Sequence, residues 1–466
     1  MLAGIACELR RRAGGDRVGY AETGPARKLS LWLRVLPIVF FLTYLNLTVL
    51  LFAYGPWPWP VKDGTKLYVF LALAHLALLL GYVTAVVGRP GGYHSRLKVQ
   101  QIVVASLIVN IALLIPTSVS RTGRFLPDVR GGLANLGAAY AASLALRLQR
   151  TGFVEYVRIV MGPLLFLLLP LVTYYWQTLR WRVRVVAVCA IMGYLAIYVA
   201  TGTNKAIADL VILVPWLLLA SYLSGVLKLS RRQKTLIVVS ALLALALFLA
   251  FFTAGQLVRP GSGAVAGYFP FSGTYADPDN WLIRSLPTRA QKGAISLGSY
   301  LTQGYYALYL SLEKPFVPMF GVGNSMFLYR NAARLTGIQA IETMPYPVRI
   351  QADGWNAYVA WSSIYPWIAS DVSFPGTILV VFLIGRLFAR SWLDVLKGRN
   401  PFAIAAFAQF TIMLFYFPAN NQVLQEGDSL IAFYTILTLW LLTRRKYVWG
   451  TRAQEPVPAR ALPLGH

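Results

Sequence analysis

Cysteine, histidine and acidic residues are scarce in this chain of 466 residues, and each shortage excludes something. There are 2 cysteines. Cys7 lies in a polar N-terminal stretch and Cys189 inside an apolar run, so a disulfide between them is not expected. The 3 histidines, His75, His94 and His466, are too scattered for a Cys/His metal cluster. Neither a metal nor a cofactor is implied. Residues 1–30 are polar and carry Arg10, Arg11, Arg12, Arg17, Arg27 and Lys28, so no cleavable signal peptide is read there. The first apolar span then acts as its own membrane signal. Alternating ten-residue segments are also missing, which excludes a transmembrane β-barrel.

What the chain has instead is apolar length. It is 57% apolar with a mean hydropathy of +0.58. Ten runs approach or exceed the roughly 20 residues that cross a bilayer as a helix. They are 35–54, 68–88, 100–116, 159–175, 185–200, 206–224, 236–254, 372–389, 401–418 and 430–443. The expected fold is an all-α polytopic membrane protein of about 10–12 transmembrane helices.

The 43 Lys and Arg residues against 17 Asp and Glu give a net charge of +26, which invites a nucleic-acid reading. Sorting the charges by side removes it. One set of connections holds the N-terminus, RPGGYHSRLK (89–98), LRWRVR (179–184), KLSRRQK (228–234), RSWLDVLKGR (390–399) and TRRK (443–446). That set carries a net +21 and the other side only +5. The positive-inside rule assigns the basic set, with both termini, to the cytoplasm. No nucleic-acid partner follows; the lipid bilayer does.

The chain then divides into a cytoplasmic tail (1–34), a first bundle of about seven spans (35–254), a large periplasmic loop (255–371), the last spans (372–443) and a second cytoplasmic tail (444–466). Residues 117–158 form the other sizeable outward segment. Two semi-apolar stretches of the long loop, 295–312 and 355–370, read as interfacial or re-entrant helices, or as a further pair of spans.

One short outward connection is unusual. TGTNKAIADL (201–210) puts Lys205 where short outward loops avoid positive charge. Lys205 also begins a helix that Thr203 or Asn204 can cap, and free N–H groups at a helix start favour an anion. Lys205 therefore reads as a phosphate or pyrophosphate contact, against snorkelling to lipid headgroups. Arginines suited to bidentate phosphate contact share that side, among them Arg121, Arg124, Arg158, Arg259 and Arg289. Their bland role is to pair with the outward acids, which include Asp128, Glu155, Asp209, Asp353, Asp371, Glu426 and Asp428. Asp371, at a span entrance, is a candidate base or a helix cap. Aromatic residues crowd the long loop and suit either sugar stacking or an interfacial belt. PANNQVLQEGDS (418–429) adds an uncharged polar cluster whose bland role is turn chemistry.

The stretch GWNAYVAWSSIYPWIASDVSFPGTILVVFLIGRLFAR (354–390) resembles the late segment of bacterial oligosaccharide repeat-unit polymerases, the O-antigen polymerases of the Wzy type. The matching positions are Asn356, Tyr358, Tyr365, Pro366, Asp371 and Gly376. TGTNKAIADL is similar to that family's small-residue, basic, then helical connection, although arginine is commoner where Lys205 stands. The layout of ten or more spans with a large loop before the last three also matches.

The resemblance implies a glycosyltransferase of the periplasmic face of the bacterial inner membrane. It joins polyprenyl-pyrophosphate-linked glycans and releases polyprenyl pyrophosphate, alongside a chain-length regulator. On that reading Lys205, Arg259, Arg121 and Arg124 contact pyrophosphate, with Asn356 and Tyr358 in the substrate site. Arg289 and Asp371 are then catalytic, Arg289 on the pyrophosphate and Asp371 as base. Two alternatives stand beside it. An O-antigen ligase of this layout is expected to use a histidine in the large loop, and the outward segments have none. A lipid-linked oligosaccharide flippase would favour internal repeats and ionisable groups deep within spans.

Overall fold

The computed structural model describes residues 30–445 except 89, 94–97, 150–151, 259–266 and 399. Within them the chain is almost wholly helical, an all-α polytopic membrane protein. Each of the ten apolar runs lands on a helix. Eight are long and apolar enough to cross a membrane. They fall on α1 (Leu31–Tyr54), α2 (Thr65–Val86), α3 (Val99–Thr122), α6 (Phe153–Tyr174), α7 (Trp181–Ala200), α8 (Lys205–Leu223), α9 (Arg231–Val258) and α14 (Ile364–Leu393). Two shorter apolar helices follow, α15 (Pro401–Tyr416) and α16 (Gly427–Thr443).

Residues 117–158 are largely ordered helix: the end of α3, then α4 (Val129–Ala134), α5 (Leu136–Gln149) and the start of α6. The long connection between α9 and α14 marks one end of the bundle, here termed the loop end. It contains a two-residue hairpin, β2 (Tyr268–Phe269) with β3 (Thr274–Tyr275), and the helices α10 (Trp281–Arg284), α11 (Thr288–Leu312), α12 (Met326–Thr336) and α13 (Tyr346–Arg349).

The stretch 295–312 thus becomes α11, which packs on α1, α2 and α9 but is not among the helices apolar enough to span. The expected helix over 355–370 is not one element. Residues 354–363 are turns and irregular chain, and helix begins only at Ile364. The Asn356 carboxamide closes a local turn by accepting from the Tyr358 N–H at 3.0 Å, an arrangement that competes with helix.

α15 sits at the centre. Nearly every residue of it is buried, as expected of a helix apolar all round. Phe388 of α14 stacks on Phe407 of α15 with ring centroids 5.5 Å apart, and Trp392 lies 5.0 Å from the same ring. α14 runs along α2 through two glycines. A Cβ on Gly81 would lie 1.9 Å from the Phe382 carbonyl oxygen, and one on Gly385 2.3 Å from the Leu78 carbonyl oxygen. Close backbone approach of this kind is how helices pack in lipid, where hydrophobic burial between them contributes little.

α14 is itself broken. Ser373 has φ +64°, in the left-handed region, just before Pro375. The seven residues Ile364–Ser370 therefore belong with the loop end and are almost completely buried there. At the opposite end, the buried Asp394 carboxylate accepts from Gly91 N–H at 2.5 Å, Trp440 Nε1 at 2.9 Å and Arg444 Nε at 2.6 Å. This fastens β1 (Gly92–Tyr93) and β4 (Arg444–Arg445) beneath the helices.

Gly385→Val drives a side chain into the α2 backbone, and overpacking costs at least about 1–3 kcal/mol. Its expected outcome is a lower apparent Tm and less monodisperse protein in detergent. A variant as stable as the parent would contradict the close crossing.

Candidate functional site

Four helices bring charge together at the loop end. Arg121 is in the last turn of α3, which stops at Gly123 with φ +71°. Glu155 and Arg158 stand i,i+3 at the start of α6. Lys205 is the first residue of α8, and Asp428 lies in the first turn of α16, where an acid complements the helix dipole.

Arg158 is the centre of the network and only 4% exposed. Its Nη2 donates to Asp428 Oδ2 and its Nη1 to Thr117 Oγ1, both at 3.0 Å. Its Nε lies 3.5 Å from Glu155 Oε2. Arg121 Nε approaches the other oxygen of Glu155 at 3.6 Å, and its Nη1 donates to the Tyr198 hydroxyl at 3.2 Å. Lys205 Nζ donates to Asp209 Oδ2 at 2.8 Å. Three cations from three helices thus meet three carboxylates, Glu155, Asp209 and Asp428. Lys205, Glu155 and Asp428 keep partial exposure, whereas Arg158 is enclosed. Arg158 therefore holds the cluster, and Lys205 is the cation that an incoming group can reach.

The small residues before Lys205 have a steric cause. Gly202 has φ +61°, and a Cβ there would lie 2.3 Å from the Leu136 carbonyl oxygen of α5. The Thr201 and Thr203 hydroxyls both donate to the Tyr198 carbonyl. Neither expected cap forms: Thr203 is spent on Tyr198, and Asn204 makes no side-chain capping bond. Both polar atoms of the Asn204 amide are buried without a partner. The first-turn N–H groups of α8, which have no intrahelical acceptor, remain uncapped beside Lys205.

The other expected site residues lie elsewhere. Arg124 forms an exposed pair with Asp128 at 2.8 Å. Asp128 caps α4 by accepting from Gly131 N–H, and that bond, then Arg124, holds its carboxyl below the usual value. Tyr358 is exposed and lies under the Arg330 guanidinium, 5.1 Å from ring centroid to Cζ. Arg259 and the side chain of Arg289 lie outside the described residues; the Arg289 backbone is in the first turn of α11.

Asp371 is a loop clamp. Its carboxylate accepts from the N–H groups of Gly321 (2.9 Å), Gly323 (2.8 Å) and Asn324 (2.9 Å) and from Asn324 Nδ2 (2.6 Å). Four donors fill the roughly four lone-pair sites of a carboxylate. The network around Arg158, Glu155, Asp209 and Asp428 was legible only as separate arginines and acids. Its one sequence signal is spacing: Glu155–Arg158 and Lys205–Asp209 stand one helical turn apart at the edges of apolar runs.

Two cavities open at this end. One of about 400 Å³ is lined by Tyr54, Trp57, Trp59 and Tyr68. The other, about 470 Å³, runs from Phe320, Asn324 and Asp371 along aliphatic side chains of α14 and past Phe433, Tyr434 and Leu437 of α16. Among the described residues no three His, Cys, Asp or Glu side chains gather as metal ligands would. Compared with known proteins, the chain matches no family model, no curated protein and no solved structure.

Arg158→Met leaves Glu155 and Asp428 without their buried partner, a loss of about 3–5 kcal/mol. Arg124→Ala breaks an exposed pair worth about 0–1 kcal/mol. Thermal unfolding in detergent should show a large drop in apparent Tm for the first and almost none for the second. Equal drops would mean that the network does not hold the helices.

Proposed function

We propose that this protein polymerises polyprenyl-pyrophosphate-linked oligosaccharide repeat units at the periplasmic face of a bacterial inner membrane. The observation that carries the reading is the helix start at Lys205. There an uncapped N-terminus, a reachable ammonium and the Arg121 guanidinium share one end of the bundle. Such a site suits a phosphoryl anion at the membrane surface.

In the proposed reaction a hydroxyl oxygen of the acceptor unit attacks the anomeric carbon of the donor glycan. The bond from that carbon to the pyrophosphate oxygen breaks, and its electron pair leaves with polyprenyl pyrophosphate. Lys205, Arg121 and the first-turn N–H groups of α8 stabilise the charge that develops on the leaving oxygen. The hydroxyl proton passes to a carboxylate of the cluster. Asp209, whose Oδ1 is buried without a partner, is the assigned acceptor. Arg158 keeps the helix ends in register and does not itself touch substrate. Because Asp371 is filled with N–H donors, the base role moves from it to Asp209 in this scheme.

Ionisable groups inside the helices also suit a flippase, so the test must separate the two. It is a surface-glycan gel from a strain lacking the gene, complemented with parent or variants. The reading expects single repeat units in the deletion strain and a ladder on complementation. Lys205→Ala, at normal protein level, should lower polymer roughly 100-fold or more. Lys205→Arg, which keeps the charge, should restore much of it. Lipid-linked units accumulating on the cytoplasmic side would make the protein a flippase. Polymer retained on its lipid carrier would make it a ligase.

A further inference from the structure

The connection between α15 and α16, ANNQVLQE (419–426), is rich in side-chain amides and docks on the segment 324–327. Asn421 Nδ2 donates to the Asn324 carbonyl at 2.7 Å. Gln425 Oε1 accepts from Met326 N–H at 2.9 Å, and the Gln425 carbonyl accepts from Phe327 N–H at 3.2 Å. Asn420 Nδ2 donates to Gln422 Oε1 at 3.2 Å. Each amide thus spends one atom on holding the connection in place.

The other atom is left over. Asn324 Oδ1, Asn420 Oδ1, Asn421 Oδ1 and Gln425 Nε2 are all buried without a partner. Asn420 is 3% exposed and Asn421 fully buried. An unpaired buried polar atom costs about 1–3 kcal/mol, so four around one docked connection call for hydrogen-bonding partners. Turn chemistry does not account for them, because the turn is held by the opposite atoms.

The chemistry of the set selects those partners. Three acceptor oxygens and one N–H₂ donor, without a free charge, match groups that both donate and accept. Those are hydroxyls. An anion would face three carbonyl oxygens. A divalent cation would need carboxylate charge, and Asp371, the carboxylate bonded to Asn324, is already filled by N–H donors. The connection runs straight on into Asp428, the partner of Arg158, so hydroxyls held here lie next to the charged cluster along the chain. Asn324 and, from the connection itself, Leu424 line the 470 Å³ cavity, so the cavity borders the docked segment.

We infer that Asn324, Asn420, Asn421 and Gln425 form a subsite for an uncharged sugar ring. This subsite sets which glycan is accepted, and the inference rests on the polymerase reading. A site built to hydrogen-bond hydroxyls discriminates strongly against rings that lack them.

Gln425→Glu is the first variant, because it keeps the Oε1 that binds Met326 N–H and turns the unpartnered N–H₂ donor into a charged acceptor. Asn420→Ala is the second, and Gln177→Ala, at the opposite end of the bundle, is the control. The probe is the oligosaccharide released by mild acid from the source strain's own surface polysaccharide. Its binding is measured by saturation-transfer NMR on protein in lipid nanodiscs. The parent and the Gln177 variant should bind; Gln425→Glu and Asn420→Ala should each weaken binding roughly tenfold. Unchanged binding in both amide variants, with folded protein, overturns the subsite. So does a parent that binds no oligosaccharide. Ladder synthesis reads the polymerase separately: a ladder without binding refutes the subsite alone, and binding without a ladder refutes the polymerase.

Discussion

The loop end depends on one enclosed guanidinium. Arg158 ties α6 to Asp428 of α16 and to Thr117 of α3, and shares Glu155 with Arg121. Buried charge is costly unless it is paired, and here each base has a carboxylate within 4 Å. Because Arg158 fixes these helix starts and ends relative to one another, the reachable groups around it hold definite positions. Lys205 faces Asp209 across one helical turn, and the Asn204 amide beside it is left unspent. The three bases already face carboxylates, so an anion entering the cluster must displace a carboxylate contact or use the uncapped N–H groups of α8.

A second constraint works alongside the first. Beyond its own hydrogen bonds, the long connection is held by others from distant segments. Asp371 draws in Gly321, Gly323 and Asn324, and the 419–426 connection clasps the next residues, Met326 and Phe327. Ser373 and Phe320, both with positive φ, sit at the two ends of the Asp371 clamp. Backbone strain of that kind costs about 1–3 kcal/mol per residue and persists only where surroundings over-determine it. Four hydrogen bonds to one carboxylate are such a surrounding.

The spans were legible because hydropathy in lipid is a strong constraint: all ten apolar runs are helices. Where the boundaries moved, charge was the reason. The run at 159 begins after Arg158, yet the helix starts at Phe153, because Glu155 and Asp428 neutralise Arg158 inside it. The run at 372 begins after Asp371, yet helix extends back to Ile364 on the far side of the Ser373 break. The site was half legible. Lys205 and Arg121 stood out as basic residues at helix ends and do share one cluster. Asp371 could not be read as a clamp, because its donors come from about 50 residues earlier in the chain. The amides of 420–425 looked like turn residues because only the three-dimensional partners reveal which atom of each is unspent.

The central claim is that the Lys205 helix start is a pyrophosphate seat, and native mass spectrometry of the purified protein with polyprenyl pyrophosphate tests it directly. The account predicts one bound lipid on the parent, much weaker binding for Lys205→Ala, and weaker binding of polyprenyl monophosphate than of the pyrophosphate. Equal binding by parent and Lys205→Ala, or no preference for the second phosphate, would contradict it.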